Sequence, residues 1–258
     1  MALLNEFRPL VIKAGDQQIG EDARVRVQGS KNMTLLSDFF LFEIYNMSDT
    51  DFAAVNNNKM MYAYGMDGRL ICCGEIDEIY TKVDNTNLVT SISVIDGKSF
   101  WETRVNKSFG GGTTISTTFR GLIQNASVGA FTAPDLRMIR GQTYTGRLAE
   151  SISELAKSVH GRAYITNNTV YVTAKGRSSE IVYVNSEDVI EDRNSGSGLR
   201  IVKTIMKGYP IGTLVSLSNN QYRLVSQKIS ADNYKGSWDS ILVLVDESVL
   251  PYNGMEGG

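Results

Sequence analysis

Between Phe40 and Phe100 the chain carries five short runs of alternating apolar and polar residues, at 40–47, 60–64, 70–76, 78–83 and 88–94. Asp67-Gly68 and Asp84-Asn85-Thr86-Asn87 lie between runs, where Gly and Asn accept positive φ at little steric cost. A period of two turns one face of each strand toward a core. So many half-apolar strands also need an arrangement that leaves few open edges. The pattern predicts an antiparallel β module, a small barrel that is closed or nearly closed. No cluster of acids, nucleophiles or metal ligands interrupts it.

Composition narrows the class. The 258 residues allow one large or two small domains with a proper core, and 42% apolar content is that of a globular protein. Lys and Arg number 26 against 28 Asp and Glu, a net charge of −2, so the chain lacks the clustered basic footprint of a duplex-binding protein. The start, Met-Ala-Leu-Leu-Asn-Glu-Phe-Arg-Pro, has no basic segment followed by an apolar run. No window approaches the ~20 apolar residues that cross a bilayer. Synthesis in a cytoplasm, without export, is the expectation. Cys72 and Cys73 are the only cysteines, and as neighbours on a strand they point to opposite faces. A bond between them would be strained, so both are expected as plain buried strand residues.

Either side of this stretch the grammar changes several times. Leu10-Val11-Ile12 and Arg24 to Val27 read as further strands of the first module, and 28–38 as a polar loop or a short helical turn. Phe109-Gly110-Gly111-Gly112 reads as a flexible joint before Thr113-Thr114, which can cap a helix. Ile115, Phe119, Leu122, Ile123 and Ala126 then form one apolar stripe at helical spacing. Leu148, Ile152, Leu155, Ala156 and Val159 repeat that spacing, with Gly161 predicted at the left-handed position after the helix. Both helices are short and expected to pack on sheets. Two alternating runs around Asn167-Asn168 predict a tight hairpin over 163–173. The run 191–198 reads as a mobile polar linker. In 199–205 the face of Leu199, Ile201, Lys203 and Ile205 is the more apolar and the expected core side, opposite Arg200, Val202 and Thr204. A hairpin of 214–217 and 222–225 and a last strand of Trp238 and 241–245 follow. The tail 251–258 is expected to be loose or docked on a partner.

Each candidate chemistry has a plainer reading. Asp96-Gly97-Lys98-Ser99 resembles the end of a phosphate loop, but Ile92 stands where that pattern needs Gly, and a turn explains it better. The glycines before the first helix could cradle an anion on helix N–H groups; without a cation in the loop other than Lys107 before it, they read as a hinge. His160 is the only histidine, and its place at a helix C-terminus favours a structural role. The carboxylate pairs Glu75 and Asp77, Glu187 and Asp188, and Glu191 and Asp192 are each local, unlike the opposed acids of a glycosidase. Twelve tyrosines could stack sugars or anchor partners, or pack across strands. No residue is put forward as catalytic, cofactor-binding or metal-binding.

Taken in order, these segments resemble the baseplate hub proteins of contractile phage tails. Tyr45-Asn46-Met47-Ser48, the aromatic strand to Gly65, Gly74-Glu75-Ile76 and Ser93-Val94-Ile95-Asp96-Gly97 are similar to the first domain of those hubs. The run from Gly208 to Val215, Tyr222 to Val225, and the run from Asp232 to Trp238 are similar to the last. The resemblance implies a mainly β fold with a minor α+β part: two antiparallel barrel or sandwich modules plus a small helix-hairpin insertion. It implies a first tube-like barrel over 1–105, a connecting segment with one helix over 106–144, an α+β domain over 145–198, and strands completing a second barrel over 199–258. It further implies a non-enzymatic homotrimer in the virion tail baseplate, without cofactor. That trimer joins a six-fold tail tube or its initiator to a three-fold spike, beside other baseplate proteins, with DNA only as passing cargo. In that family the two barrels of one subunit resemble each other, so three copies present six tube-like units. Two other readings stay open: a carbohydrate- or receptor-binding β module of a tail fibre, and an unrecognised hydrolase.

Overall fold

A computed structural model describes residues 10–250 except 66, 124–126, 219 and 235–236. Ala126 of the first helical stripe and the tail 251–258 therefore lie outside the described residues. The leading part contains β1 (Val11–Ala14), β2 (Gln17–Ile19), β3 (Val25–Asn32), β4 (Asp38–Tyr45), α1 (Asp49–Asn57), β5 (Met60–Tyr64), β6 (Leu70–Asp84) and β7 (Asn87–Asp96). Alternation acts as expected in β4, where Phe40, Phe42 and Ile44 are fully buried while Leu41 and Glu43 face outward. The runs 70–76 and 78–83 are not two strands but one, β6. It pairs with β7 from Glu75 to Asp84, with a bulge between Ile76 and Glu78 that accommodates Asp77.

The polar stretch after Val27 also differs from expectation. Gln28 to Asn32 continue β3, because the ladder to β17 (Asn220–Asp232), joined at Gln28 and Gly29 by the ladder to β4, holds backbone that side-chain pattern alone would leave as loop. Helix α1 occupies what reads as a polar spacer. The Ser48 side chain caps it by accepting from the Asp51 N–H, and only Ala54 and Val55 are buried, too few for a visible stripe.

The middle of the chain contains α2 (Lys98–Glu102), β8 (Arg104–Phe109), α3 (Ile115–Leu122), β9 (Ser127–Phe131), β10 (Gln142–Arg147), α4 (Leu148–Ser158), β11 (Gly161–Thr166) and β12 (Thr169–Ala174). Phe119 and Leu122 of α3 share a core with Ile152 and Leu155 of α4 and with Val170 and Val172 of β12. Asn167 and Asn168 both take left-handed backbone (φ 52 and 54), making the expected two-residue turn. After α4 the left-handed residue is His160 (φ 52), not Gly161. Gly161 already belongs to β11, and a Cβ there would lie 2.8 Å from the Thr173 carbonyl oxygen. Close approach of backbone, not helix termination, explains this glycine.

The last part contains β13 (Ile181–Tyr183), β14 (Val189–Asn194), β15 (Leu199–Ile205), β16 (Leu214–Leu217), then β17, then β18 (Trp238–Val245). Two expectations fail here. Glu191 to Asn194 are no linker but strand, paired with β15. The core face of β15 is Val202 and Thr204, both fully buried, with Arg200 beside them, while Ile205 is exposed. Directly paired residues share a face, and Val202 pairs with Leu242, Arg200 with Leu244. The buried leucines of β18 thus set the orientation against the apolar count in β15 itself.

Among the described residues, thirteen strands join one mixed but mostly antiparallel sheet, and its path β14-β15-β18-β17-β3-β4-β7-β6-β5-β1-β2 does not close into a barrel. A sandwich-like layering over three cores replaces the closed form. Within the path one unit occurs twice. Strands β3, β4, β6 and β7 lie in the order first-second-fourth-third, and β14, β15, β17 and β18 repeat both chain order and spatial order. The third strand of each unit is bulged at the same place relative to its partner, between Ile76 and Glu78 and between Leu224 and Ser226. In each, a short antiparallel strand covers the part before the bulge: β5 ends opposite Glu75, β16 opposite Arg223. Inward residues correspond, with Ile92 and Val94 answering Leu242 and Leu244.

Gly74 lies where β6 passes the end of β7. A Cβ there would sit 2.7 Å from the Ile95 carbonyl carbon and oxygen and 2.8 Å from the Asp96 nitrogen, all backbone atoms that cannot swing away. Gly74→Ala is expected to lower stability by about 2 kcal/mol, read as a fall in the urea midpoint at unchanged slope.

Candidate functional site

Several of the residues singled out by sequence are tied into the structure. Asp96-Gly97-Lys98-Ser99 carries the chain from β7 into α2. Lys98 donates to Asp77 (2.9 Å), and Glu75 accepts from the Ser99 N–H and hydroxyl (2.7 and 2.6 Å). The first carboxylate pair is therefore spent on that corner. In the second pair, Asp188 binds Lys207; in the third, Glu191 binds Arg193 and Asp192 makes a forked contact with Arg200. The Arg200 guanidinium holds the Asp192 carboxyl below the usual range.

At the start of α3 the anion facing the helix N–H groups is the chain's own. Asp135 accepts from the Ser116 N–H and hydroxyl (2.9 and 2.8 Å) and is pulled to lower pKa chiefly by that backbone bond. Gly112 has φ 85 and donates to the Met138 carbonyl, which ties the joint down. His160 is exposed at the end of α4, away from any of the acid pairs in sequence. Tyr164 stacks on Tyr171 and Tyr144 is buried; the exposed tyrosines Tyr80, Tyr183 and Tyr234 sit on separate elements. Both tryptophans are partly buried. Among the described residues no three His, Cys, Asp or Glu side chains gather to hold a metal ion.

Buried charges at the seams between cores carry no signal in the sequence. Lys31, fully buried on β3, donates to the Tyr209 carbonyl (3.0 Å). Asp96, fully buried, accepts from the N–H groups of Asn167 and Asn168 (2.6 and 2.5 Å), fixing the middle hairpin to the end of β7. Asp38 accepts from the backbone and side chain of Asn32. Burial lowers the Lys31 pKa and raises Asp38 to about 6 and Asp96 to about 7, outweighing the hydrogen bonds that favour the ionised acids. Burial also pushes the Cys72 thiol up to about 12, and Cys73 is raised for the same reason, so both remain thiols. Arg223, fully buried on β17, binds Glu247 and the carbonyls of Gly212 and Arg177.

The surface that remains available is sheet edge. β5 stops opposite Glu75, so among the described residues strand β6 has a partner, β7, on one side only from Glu78 to Asp84. Among the described residues β14 pairs only with β15. Val83 is 72% exposed on the first edge and Ile190 56% on the second. Such arrays of open N–H and C=O groups are templates for another strand.

Comparison with solved structures places this architecture. No protein-family model matches the chain, and no curated protein matches it in sequence. The fold is that of phage tail proteins. The 43 kDa tail protein of prophage MuSo2 from Shewanella oneidensis superposes with a TM-score of 0.64 at 12% identity, over 94% of this chain and 99% of that one. A tail protein from Neisseria meningitidis MC58 gives 0.63 at 10% identity, over 95% and 98%. The Escherichia coli c3393 protein gives 0.63 at 9%, over 97% and 78%; it is a component of the type VI secretion system, with structural similarity to the T4 tail proteins gp27 and gp5.

Two measurements test the seams. A carboxyl whose pKa is raised in the folded state adds stability that is complete below its unfolded pKa and is lost as pH rises through the folded one. The contribution of Asp96 should therefore fade between about pH 4 and pH 7. Asp96→Asn can accept only one of the two N–H bonds and is expected to be less stable at low pH by about 1–3 kcal/mol. The gap between wild type and Asp96→Asn should narrow toward pH 8 in urea titrations; a constant gap would mean Asp96 is ionised throughout. Arg223→Met strands two carbonyls and Glu247, and a loss of about 3 kcal/mol is expected by the same method.

Proposed function

We propose that this chain is a non-enzymatic structural hub of a phage tail baseplate or a related injection machine. Three copies form a ring that joins a six-fold tube to a three-fold spike. The observation that carries the reading is the doubled four-strand unit in one continuous sheet. A subunit with two like units offers six to the tube when three copies close, and still meets the spike as a trimer. The shared fold with tail proteins over nearly the whole chain supports the setting. The locked carboxylates and the α3 N-terminus closed by Asp135 fit a scaffold in which shape and symmetry are the function. On this reading the tube or its initiator sits above, the spike below, other baseplate proteins around, and DNA is cargo in the bore.

Light scattering on the purified protein, with electron images of the same peak, tests this. The expected species has the mass of three 28.4 kDa chains and a central hole. A monomer at every concentration, unchanged by added spike protein, would remove the hub reading and return attention to glycan binding by a fibre module.

A further inference from the structure

Strands β3, β4 and β7 bring a row of buried ionisable groups together. Asp38 on β4 pairs directly with Asp96 on β7, so the two carboxyl groups share one face of the sheet. Two positions on from the Gly29–Phe40 pair, Lys31 on β3 comes to the same face as Asp38. Gln227 on β17 lies opposite Lys31, and all four side chains are buried. The row carries two attachments. Asp96 accepts from the Asn167 and Asn168 N–H groups at the turn of the middle hairpin. Lys31 and Gln227 donate to the carbonyls of Tyr209 and Lys207, so the Lys31 ammonium is spent on a carbonyl rather than on a carboxylate.

We propose that Asp38, Asp96 and Lys31 form a proton-operated latch, which holds the 166–169 turn and the 207–209 segment on the first unit and releases both when the two acids ionise. The inference goes beyond the hub reading and does not depend on it. Two carboxylates that face each other away from water cannot both ionise cheaply, and one cation is at hand for two anions. Burial accordingly raises Asp38 to about 6 and Asp96 to about 7, with the facing Asp38 adding to the rise of Asp96, and lowers Lys31. The other titratable groups around the row stay neutral. The thiols of Cys72 and Cys73 on β6 and the phenols of Tyr171 on β12 and of Tyr209 are all raised by burial. Lys207 is paired with Asp188 and also faces Asp67. Once the latch opens, the acids meet water and ionise near the ordinary ~4. Opening is therefore hardest at low pH and becomes easier as pH rises from about 4 to about 7. Thr166 Oγ1, Asn167 Oδ1 and Gln227 Oε1 are buried on these same attachments without a hydrogen-bond partner, so opening sacrifices no bond of theirs and lets water reach them. The ladders of β4 with β7 and of β3 with β17 are main-chain pairings, which confines the release to the two attachments.

Hydrogen exchange of the purified chain, followed by mass spectrometry from pH 5 to pH 8, tests the latch. Rates divided by the intrinsic amide chemistry at each pH report opening alone. Opening at 164–170 and 206–211 is expected to rise at least about tenfold between pH 5 and pH 7.5, while 40–45 and 89–95 change by less than about threefold. Asp38→Asn removes the facing charge, so the rise at 164–170 should shrink. Lys31→Met removes the cation, makes both acids harder to ionise in the closed state, and should extend the rise to higher pH. Where a variant fails to fold, the wild-type profile decides by itself. Attachments that open equally at pH 5 and pH 7.5, or that open only together with 40–45, would overturn the latch. Neither result touches the hub reading, which is tested by mass in solution.

Discussion

The antiparallel ladder between β17 and β3 is the contact on which the other elements depend. It joins segments from opposite ends of the chain: Ser226 and Asn32, 194 positions apart, share a side-chain bond as well as a place in the ladder. At its other end Asp232 receives Arg24, and the Asn233 side chain accepts from Val25 and donates to Ala23. Without this ladder β3 would lose one of its two neighbours, and the first core would lose Ile229 and Ala231. A contact that closes nearly the whole chain forms at a large entropic cost, so both units and the insertion between them must be largely in place before it is favourable.

Buried charge reinforces the same seam. Lys31 reaches from β3 to the Tyr209 carbonyl, Asp96 from β7 to the β11–β12 turn, and Arg223 from β17 to the carbonyls of Gly212 and Arg177. The first two link segments belonging to different cores, and Arg223 ties two loops onto the third. Desolvating such groups costs more than an apolar contact of equal size, so their contribution lies in geometry: a slipped register would leave a buried charge without its partner.

Much of the fold was legible because some residues carry their own instruction. Phe40, Phe42 and Ile44 announce a strand by alternation, and Asn167-Asn168 announces a turn by tolerance of left-handed backbone. What stayed hidden depended on neighbours distant in sequence. Ser30 and Lys31 are strand because β17 pairs with them; Val202 and Thr204 face inward because Leu242 and its strand require it; Asp77 looks like a break and is a bulge. The doubled unit was expected only through the family resemblance, and the side chains of its paired strands do not show it, for the same reason. Phe40, Phe42 and Ile44 of one copy correspond to Arg200, Val202 and Thr204 of the other, through the shared pairing with β7 and β18. Beyond a few inward positions, Ile92 and Val94 against Leu242 and Leu244, the side chains do not betray the repeat. The open edges were equally unreadable, since an edge is a statement about what does not pair, and Val83 looks no different in sequence from a buried valine.

What both units have kept is backbone geometry rather than composition. A bulge adds one residue to one strand, bends it and increases its twist. In β17 this lets the strand pair with β16 before Val225 and with β3 after it; in β6 it turns the strand from β5 before Asp77 to an open edge after it. The bulge is therefore the device by which a unit passes from covering its own core to covering its neighbour's. A core can be refilled with different side chains as long as volume and facing are kept, whereas removing the extra residue would reverse every side chain beyond it. That asymmetry explains how solved tail proteins at 9 to 12% identity keep this architecture over nearly the whole chain. It also explains why the junction, more than any single residue, is the conserved object within this molecule: two units that share almost no side chains still present the same edge at the same distance beyond the same bend.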